Sequence, residues 1–256
     1  MSSDRDLRLK ESDYDFAILH PALRRLFGAS DLYNYGYWRS ADGGQITTLP
    51  EAAARLVQLH VETDQGRGNT RTLLDVGCGL GACTGLFAAA YPEAEITGIN
   101  YSARQIAHAE RHHAGPRITF RQMDATALDF PDQSIDCIHA VEAAMHFHPR
   151  RRFFEEARRV LVPGGRLILT DVLARRPTTF IPAANSEASI SEYARTLVET
   201  GLQPLEITDI LDDTATPFAT VMHANAMHAY GRAIEEDVSG YLLVLAVNGS
   251  ATSNVS

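Results

Sequence analysis

The segment TLLDVGCGLGACTGLFAAA, residues 72–90, constrains the fold more than any other part of the chain. A short β-rich run leads into closely spaced glycines, and a helical pattern follows at once. Glycines permit a tight turn and let a ligand approach the backbone, and the start of the following helix offers amide donors to an anion. The segment therefore predicts a buried strand ending near Asp75, a ligand-binding loop at Gly77 and Gly79, and a helix.

The same alternation of strand and helix patterns continues along the rest of the chain. Strand-like runs occupy residues 72–76, 95–100, 118–122, 134–140, 165–171, 204–211 and 241–248. Helical patterns occupy residues 82–90, 102–113, 150–160, 189–200 and 218–236, with Ser102 and Ser189 as N-caps. Repeated βαβ units predict an α/β fold with a seven-stranded, mostly parallel sheet and helices on both faces.

A chain of 256 residues, 45% of them hydrophobic, is long enough for one such domain. We divide residues 1–256 into an N-terminal helical cap (1–70), a cofactor-binding core (71–171), C-terminal strands with substrate-enclosing helices (172–248) and a polar tail (249–256). The cap includes an aromatic cluster at residues 31–38 and a helical stretch at 50–61. Residues 64–70, DQGRGNT, are predicted to form the polar loop that joins cap and sheet.

Composition excludes several classes of partner. The formal net charge of -9 argues against a nucleic-acid-binding surface, which is usually basic. The charged N-terminus lacks the apolar run of a signal peptide, and no stretch approaches the ~20 apolar residues of a membrane span. With only three cysteines, which suit reduced packing thiols, we expect a cytoplasmic protein that acts on a small molecule, binds neither nucleic acid nor membrane, and has an unknown oligomeric state.

The glycine loop alone leaves the ligand open. GCGLGA satisfies the relaxed dinucleotide fingerprint, so NAD is an alternative, and a plain structural turn is another. The residues that follow the next strands are more informative: GINYSARQIAHAE, QMDATALDFPDQSID and VLVPGGRLILTD. Together with DVGCGLG, in this order and spacing over about residues 72–171, they resemble the class I S-adenosylmethionine-dependent methyltransferases.

This resemblance implies a Rossmann-like fold with S-adenosylmethionine as cofactor. It places Asp75 before the loop that holds the methionine part of the cofactor. It also places Asn100 at the ribose, with Gln105 in the following helix, and Asp124 and Ala125 at the adenine. Asn100 departs from the acidic residue usual in the family, and could bond to a hydroxyl without carrying charge.

Two further segments, NYGYW and VEAAMHFHPRRRFFEEARRVLVPGGRLILTDVL, are similar to microbial natural-product O-methyltransferases of the microcystin-type polyketide and rebeccamycin sugar kinds. This similarity implies methyl transfer to a hydroxyl of a small secondary metabolite. Sterol and prenyl-diphosphate C-methyltransferases share much of the same sequence pattern, so a carbon or nitrogen atom remains an alternative methyl acceptor. A protein of this fold that keeps the cofactor without transferring a methyl group stays open too, as does an NAD-dependent dehydrogenase.

Methyl transfer to a hydroxyl requires alignment of the acceptor and removal of its proton. His146 and Asp171 follow adjacent predicted strands, so both are expected at the carboxyl edge of the sheet, where open α/β sheets bind ligands. We interpret His146 as the base and Asp171 as the group that orients it or the substrate, as in the sugar O-methyltransferase. Glu142 is the alternative base, especially for a carbon acceptor, and Tyr37 is expected in an aromatic lid over the sulfonium.

The remaining histidines and arginines are given no chemistry. A metal pair of His146 with His148 lacks a third ligand, so no metal site is predicted. His112, His113, His223 and His228 are expected on helix surfaces. The run of arginines at residues 150–152 is interpreted as a solvated helix face.

Overall fold

A computed structural model describes residues 15, 21–178, 180–187 and 189–249 of the chain. Its sheet contains the strands Thr72–Val76 (β1), Glu95–Asn100 (β2), Ile118–Gln122 (β3), Ile135–Val141 (β4), Leu161–Ala174 (β5), Leu202–Asp209 (β6) and Val238–Asn248 (β7). They lie in the order β3-β2-β1-β4-β5-β7-β6. Only the pairs formed by β7 are antiparallel, which confirms the predicted seven-stranded, mostly parallel sheet.

The α-helices in the described part of the chain are Pro21–Phe27 (α1), Leu49–Thr63 (α2), Ala82–Ala90 (α3), Ala103–His113 (α4), Arg150–Val160 (α5), Ile190–Glu199 (α6), Ala215–Ala224 (α7) and His228–Asp237 (α8). The N-caps Ser102 and Ser189 are as predicted: each hydroxyl accepts a hydrogen bond from the amide three residues later. Helices α3 and α5 begin and end at the predicted residues, and they start directly after Gly81 and Pro149.

Hydrophobic cores lie on both faces of the sheet. Leu73 and Leu74 are adjacent on β1 but belong to different cores, because successive strand side chains point to opposite faces. One core includes residues of the N-terminal cap, α2, α3, α7 and α8, and the other includes residues of α5 and α6. Each core is therefore formed by helices covering one face, and the carboxyl edge of the parallel strands lies between them.

The predicted single helix at residues 218–236 is wrong. The chain forms two helices, α7 and α8, separated at Ala226, whose φ of 61° is left-handed. A Cβ built on Gly231 would lie 2.7 Å from His223 Nε2, so α8 packs closely against α7. The break lets the segment fold back on itself, which helical periodicity alone does not reveal.

The strand β5 and the loop before β1 also differ from expectation. β5 is predicted at residues 165–171 but spans Leu161–Ala174, because Leu161 pairs with Ile135 of β4 and the C-terminal end pairs with β7 up to Ala174. In the predicted polar loop, Asp64 is fully buried and accepts hydrogen bonds from Arg166 at 2.6 and 3.2 Å. The loop is thus anchored to the sheet through an ion pair between residues far apart in sequence.

No described helix is both long and apolar enough to cross a membrane. The N-terminal segment 1–14 and residues 250–256 of the predicted tail lie outside the described residues. All three cysteines are free thiols, with Cys78 and Cys137 buried.

Candidate active site

The glycine loop connects β1 to α3 at the carboxyl edge of the sheet. Gly77 and Gly79 have φ values of 79° and 55°, in the region that favours glycine. A Cβ on Gly77 would lie 2.4 Å from Ala143 Cβ, whereas a Cβ on Gly79 would meet nothing within 4 Å. Gly77 is therefore required for packing, and Gly79 borders open space in which a ligand can approach the backbone.

Asp75 lies beneath this loop rather than in the open space. Its side chain is buried and accepts a hydrogen bond of 2.6 Å from Thr84 Oγ1 on α3. Burial raises the pKa of Asp75 to about 7. In this structure Asp75 thus links β1 to the helix behind the loop.

The end of β2 and the start of α4 form one hydrogen-bonded group beside the glycines. Asn100 Nδ2 donates to Gln105 Oε1 at 2.7 Å and to the Gly79 carbonyl at 3.5 Å. Asp15 accepts hydrogen bonds from Ser102 Oγ at 2.6 Å and Gln105 Nε2 at 3.2 Å. The structure therefore brings three predicted residues together and adds Asp15, which the sequence analysis missed because nothing in its charged surroundings marks it.

Asp124 and Ala125 follow β3 at the same edge. Asp124 is exposed, and its Oδ1 accepts hydrogen bonds from the Thr126 amide at 2.8 Å and hydroxyl at 2.7 Å. Ala125 is buried, and the Met123 amide donates to the Asn100 carbonyl at 2.9 Å. The ends of β2 and β3 are thereby held next to each other, as the predicted cofactor site requires.

The aromatic segment at residues 31–38 is fixed to α2. A Cβ on Gly36 would lie 2.6 Å from Ala52 Cβ, and the Tyr37 amide donates to the Ala52 carbonyl at 2.9 Å. The half-buried Tyr37 ring has the Arg55 guanidinium carbon 5.8 Å from its centroid. The cation that lies near the Tyr37 ring in this structure is therefore the Arg55 guanidinium of the protein itself.

Glu142 connects the aromatic segment to the sheet. It follows β4 with a φ of 50°, and its Oε1 accepts hydrogen bonds from the Tyr35 amide at 2.5 Å and from the Tyr241 hydroxyl. The Tyr35 ring stacks on Phe218, with centroids 4.5 Å apart. Burial outweighs these hydrogen bonds and raises the pKa of Glu142 to about 8, so the carboxyl group is largely protonated at neutral pH.

His146 ends a short 3-10 turn, Ala144–His146, after β4. Its Nδ1 lies 2.8 Å from the Phe180 carbonyl, so we assign the ring proton to Nδ1 and the basic lone pair to Nε2. Burial lowers the pKa of His146 below its ordinary value, although the Phe180 carbonyl and the charge of Asp171 oppose this shift. The imidazole is therefore neutral near pH 7, as a general base must be.

Asp171 lies on β5 and is fully buried. Its Oδ2 accepts hydrogen bonds from Arg150 Nη1 at 2.6 Å and from the Tyr193 hydroxyl at 2.8 Å. The Arg150 amide donates to Asn185 Oδ1, and Asn185 Nδ2 donates to the Met145 and Phe147 carbonyls on either side of His146. Asp171 is thus connected to the turn that carries His146 through two other side chains.

This arrangement corrects the interpretation of the arginine run. Arg150 is fully buried, whereas the side chains of Arg151 and Arg152 are 44% and 54% exposed. Burial alone would lower the pKa of Arg150, but the charge of Asp171 raises it, so the guanidinium stays charged. The spacing of three consecutive arginines contains no signal for this difference, because it arises from the first residue facing β5.

Comparison with known proteins supports one family. A methyltransferase domain family matches residues 73–165. The methyltransferase GfsG of Streptomyces halstedii is 32% identical over 79% of this chain and 76% of its own length. The 27-O-demethylrifamycin SV methyltransferase of Amycolatopsis mediterranei is 32% identical over 69% of this chain and 68% of its length.

The chain belongs to the class I S-adenosylmethionine-dependent methyltransferases. Its fold is shared with a solved structure of the [4+2]-cyclase SpnF, which has a TM-score of 0.72 and 25% identity and covers 92% of this chain and 94% of that one. Membership confirms the predicted enzyme class and S-adenosylmethionine as cofactor, and it sets NAD aside.

The glycine loop of this methyltransferase fits that cofactor. The open space at Gly79 allows backbone approach, and Asn100 and the exposed Asp124 offer polar groups beside it at the ends of adjacent strands. The first turn of α3 presents amides suited to a carboxylate. A ligand with an amino-acid part, a ribose and a base matches this set of donors and acceptors.

Proposed function

We propose that this methyltransferase moves a methyl group from S-adenosylmethionine to a hydroxyl of a small secondary metabolite. The observation that carries the proposal is the neutral, half-buried imidazole of His146 after β4, with its proton assigned to Nδ1 and Nε2 as its basic nitrogen. The rifamycin relative, which is named for methylating 27-O-demethylrifamycin SV, supports the same acceptor class.

In this proposal the bound cofactor supplies an electrophilic methyl group. The acceptor oxygen bonds to that methyl carbon as the carbon–sulfur bond breaks, and His146 Nε2 takes the hydroxyl proton. A positioned general base of this kind typically contributes about 10²–10⁴-fold to the rate. Asp171 acts as a positioning residue, because Arg150 and Asn185 connect it to the turn of His146.

We assign cofactor binding to residues at the loop and the strand ends. Gly77 and Gly79 lead the methionine part to the start of α3, and Asn100, held by Gln105, bonds to the ribose. Asp124 and Ala125 contact the adenine, and Asp75 supports the loop through Thr84. Tyr37 closes the site at the sulfonium, which requires its ring to exchange Arg55 for the cofactor cation.

One observation favours a carbon acceptor as the second candidate. Glu142 is a buried carboxyl group with a pKa raised to about 8, bonded to Tyr241 and to the backbone of Tyr35, whose ring stacks on Phe218. Aromatic faces stabilise a carbocation, and Glu142 can remove its proton once it is deprotonated, which requires a pH near or above 8. In that reaction Glu142, rather than His146, is the base.

We further propose that residues 1–256 act as one methyltransferase domain in the cytoplasm. Contacts of Asp15 with Ser102 and of Tyr35 with Glu142 join the N-terminal part to the sheet, and free thiols suit a reducing compartment.

The test is incubation of the purified chain with methyl-deuterated S-adenosylmethionine and a panel of hydroxylated polyketides, macrolides and sugars. We expect S-adenosylhomocysteine to form together with a product that carries the labelled methyl group on oxygen, located by mass spectrometry and NMR. A label on carbon would replace the first proposal with the second. Tight cofactor binding without S-adenosylhomocysteine on any acceptor would contradict both.

A further inference from the structure

Asp31, His108 and His113 form a cluster outside the candidate active site. Asp31 Oδ2 lies 2.7 Å from His108 Nε2 and 3.4 Å from His113 Nε2. One ligand atom from each residue lies within 4.8 Å of the other two. Asp31 follows α1, whereas both histidines lie in the second half of α4, so the cluster joins two segments that are distant in sequence.

The chemistry and spacing of these atoms suit a transition-metal ion. Two imidazoles and one carboxylate are a ligand set that zinc prefers among biological metals. With bonds of about 2.0–2.2 Å, neighbouring ligand atoms in a tetrahedral zinc site lie about 3.3–3.6 Å apart. The distance of 3.4 Å from Asp31 to His113 falls in this range and that of 2.7 Å to His108 is shorter, so His108 and Asp31 need only move slightly apart around an ion.

Charge and access also favour a metal ion at this position. Arg24 donates to Asp31 Oδ1 at 3.1 Å, which leaves Oδ2 directed at the imidazoles. Asp31 forms an ion pair with Arg24, and its second carboxylate oxygen faces both imidazoles. The side chains of Asp31, His108 and His113 are 12%, 21% and 24% exposed, so an ion can enter and a water can complete the coordination.

A second group of three candidate ligands in the described chain is less suitable. Asp64, Cys137 and His139 are fully buried, and Arg166 donates to both carboxylate oxygens of Asp64. A cation would have to displace the Arg166 guanidinium, whose hydrogen bonds occupy both carboxylate oxygens of Asp64. Clustering alone therefore does not make a site, and the Asp31 group satisfies the further requirements of charge and access.

We propose that Asp31, His108 and His113 bind one zinc ion, which clamps the segment after α1 onto α4. The first turn of α4 contains Gln105, which bonds to Asn100 and Asp15. The clamp therefore stabilises the docking of the N-terminal part against the helix that borders the cofactor loop. This role is independent of the acceptor and of the base used in methyl transfer.

The test is calorimetric titration of the full chain, freed of metal by chelation, with zinc chloride, together with thermal unfolding in the presence of zinc or chelator. We expect one zinc ion per chain and a higher unfolding temperature with zinc. Asp31→Asn, His108→Ala and His113→Ala should each weaken binding at least about tenfold, since loss of even a supporting group typically costs a metal site that much. Cobalt substitution should give an absorption spectrum that the same variants abolish.

The matched control is His223→Ala. His223 contacts His228 Nδ1 through one ring nitrogen and Glu235 through the other, so its neighbours do not converge on one ligand atom. This variant should bind zinc as the wild type does, and chelator-treated variants should keep the circular dichroism of the wild type. The proposal would be overturned if the wild type bound no zinc, or if His223→Ala lost binding while His108→Ala kept it. Asp31 and its two histidines would then be joined by hydrogen bonds alone.

Discussion

Two titratable side chains that follow β4, the candidate bases His146 and Glu142, have opposite pKa shifts, so the pH dependence of the reaction can tell them apart. Burial lowers the pKa of His146 and raises that of Glu142 to about 8. At pH 7 the imidazole can accept a proton, whereas most of the carboxyl groups already carry one. At pH 7, His146 can therefore act as the proposed base in the protonation state that it already has, whereas Glu142 would first have to lose a proton.

The pH dependence of methyl transfer distinguishes the two bases. With His146 as base, kcat/KM should rise through a midpoint below 6.5 and level off above it, because the base must be deprotonated. His146→Gln should lower kcat by about 10²–10⁴-fold and remove this midpoint, whereas Glu142→Gln should retain it. Steady-state rates from pH 5 to 9 check this prediction. A midpoint near 8 that disappears in Glu142→Gln would assign the proton transfer to the carboxylate instead.

At the scale of elements, β5, α5 and the turn after β4 are held together by the buried Arg150, which forms ion pairs with Asp171 and Glu187. Arg150 bonds to Asp171, its guanidinium carbon lies 4.8 Å from the centroid of the Tyr193 ring, and its Nη2 donates to the Asn185 carbonyl. Asn185 in turn bonds to the backbone around His146. A displacement of α5 would therefore also displace His146, the candidate base.

Removing one partner of this pair should be strongly destabilising. Arg150→Met leaves Asp171 charged and buried, so we expect a loss of about 3–5 kcal/mol in the free energy of unfolding, measured by urea denaturation. Arg151→Met, which removes a surface ion pair with Glu199, should cost about 1 kcal/mol or less. The triple variant Arg150→Met/Asp171→Leu/Glu187→Gln should recover much of the loss, because neither carboxylate that pairs with Arg150 is then left without a partner. Equal losses in Arg150→Met and Arg151→Met would contradict the buried role of Arg150.

At the scale of the whole molecule, buried titratable groups oppose one another in their effect on stability. Burial lowers the pKa of His60, and it lowers that of His139 to about 3. Their contribution is present above 6.5, the value in the unfolded chain, and is lost as the pH falls toward 3. Asp75 and Glu142 have raised pKa values, so their contribution is present below about 4 and is lost as the pH rises through 7 and 8.

Stability should consequently change little between about pH 4.5 and 6.5, where the two effects cancel, and should decline from about pH 6.5 to 8. In Glu142→Gln the decline should be shallower by up to about 1.4 kcal/mol per pH unit, the value for one proton. In His139→Gln, which removes one of the effects that cancel, stability should rise as the pH falls from about 6.5 to 4.5. Urea unfolding at a series of pH values measures both slopes. Parallel curves for wild type and variants would mean that these groups titrate alike in the folded and unfolded chain.

Local patterns carry the parts of the fold that were predicted well. The bounds of β1, β2, β3, α3 and α5 depend on apolar spacing, caps and glycines within a few residues, and these signals act in the same way wherever the segment lies. The order of four motifs was likewise sufficient to place the chain in its family. The grouping of Gly79, Asn100 and Gln105 follows from this, because parallel strands bring their carboxyl ends to one edge.

Tertiary structure alone decided the partners of the buried charged groups. Arg150 was interpreted as solvated and Asp64 as part of a polar loop, yet both are buried in ion pairs with β5 residues distant in sequence. The contact of Asp31 with α4 likewise joins segments that no local pattern connects. Periodicity reports only whether a position suits a helix or strand, whereas the ionisation and partner of a side chain depend on which distant residue packs against it. For this protein the sequence determined the succession of elements and the reaction family, and packing determined which charges are buried, paired and poised for chemistry.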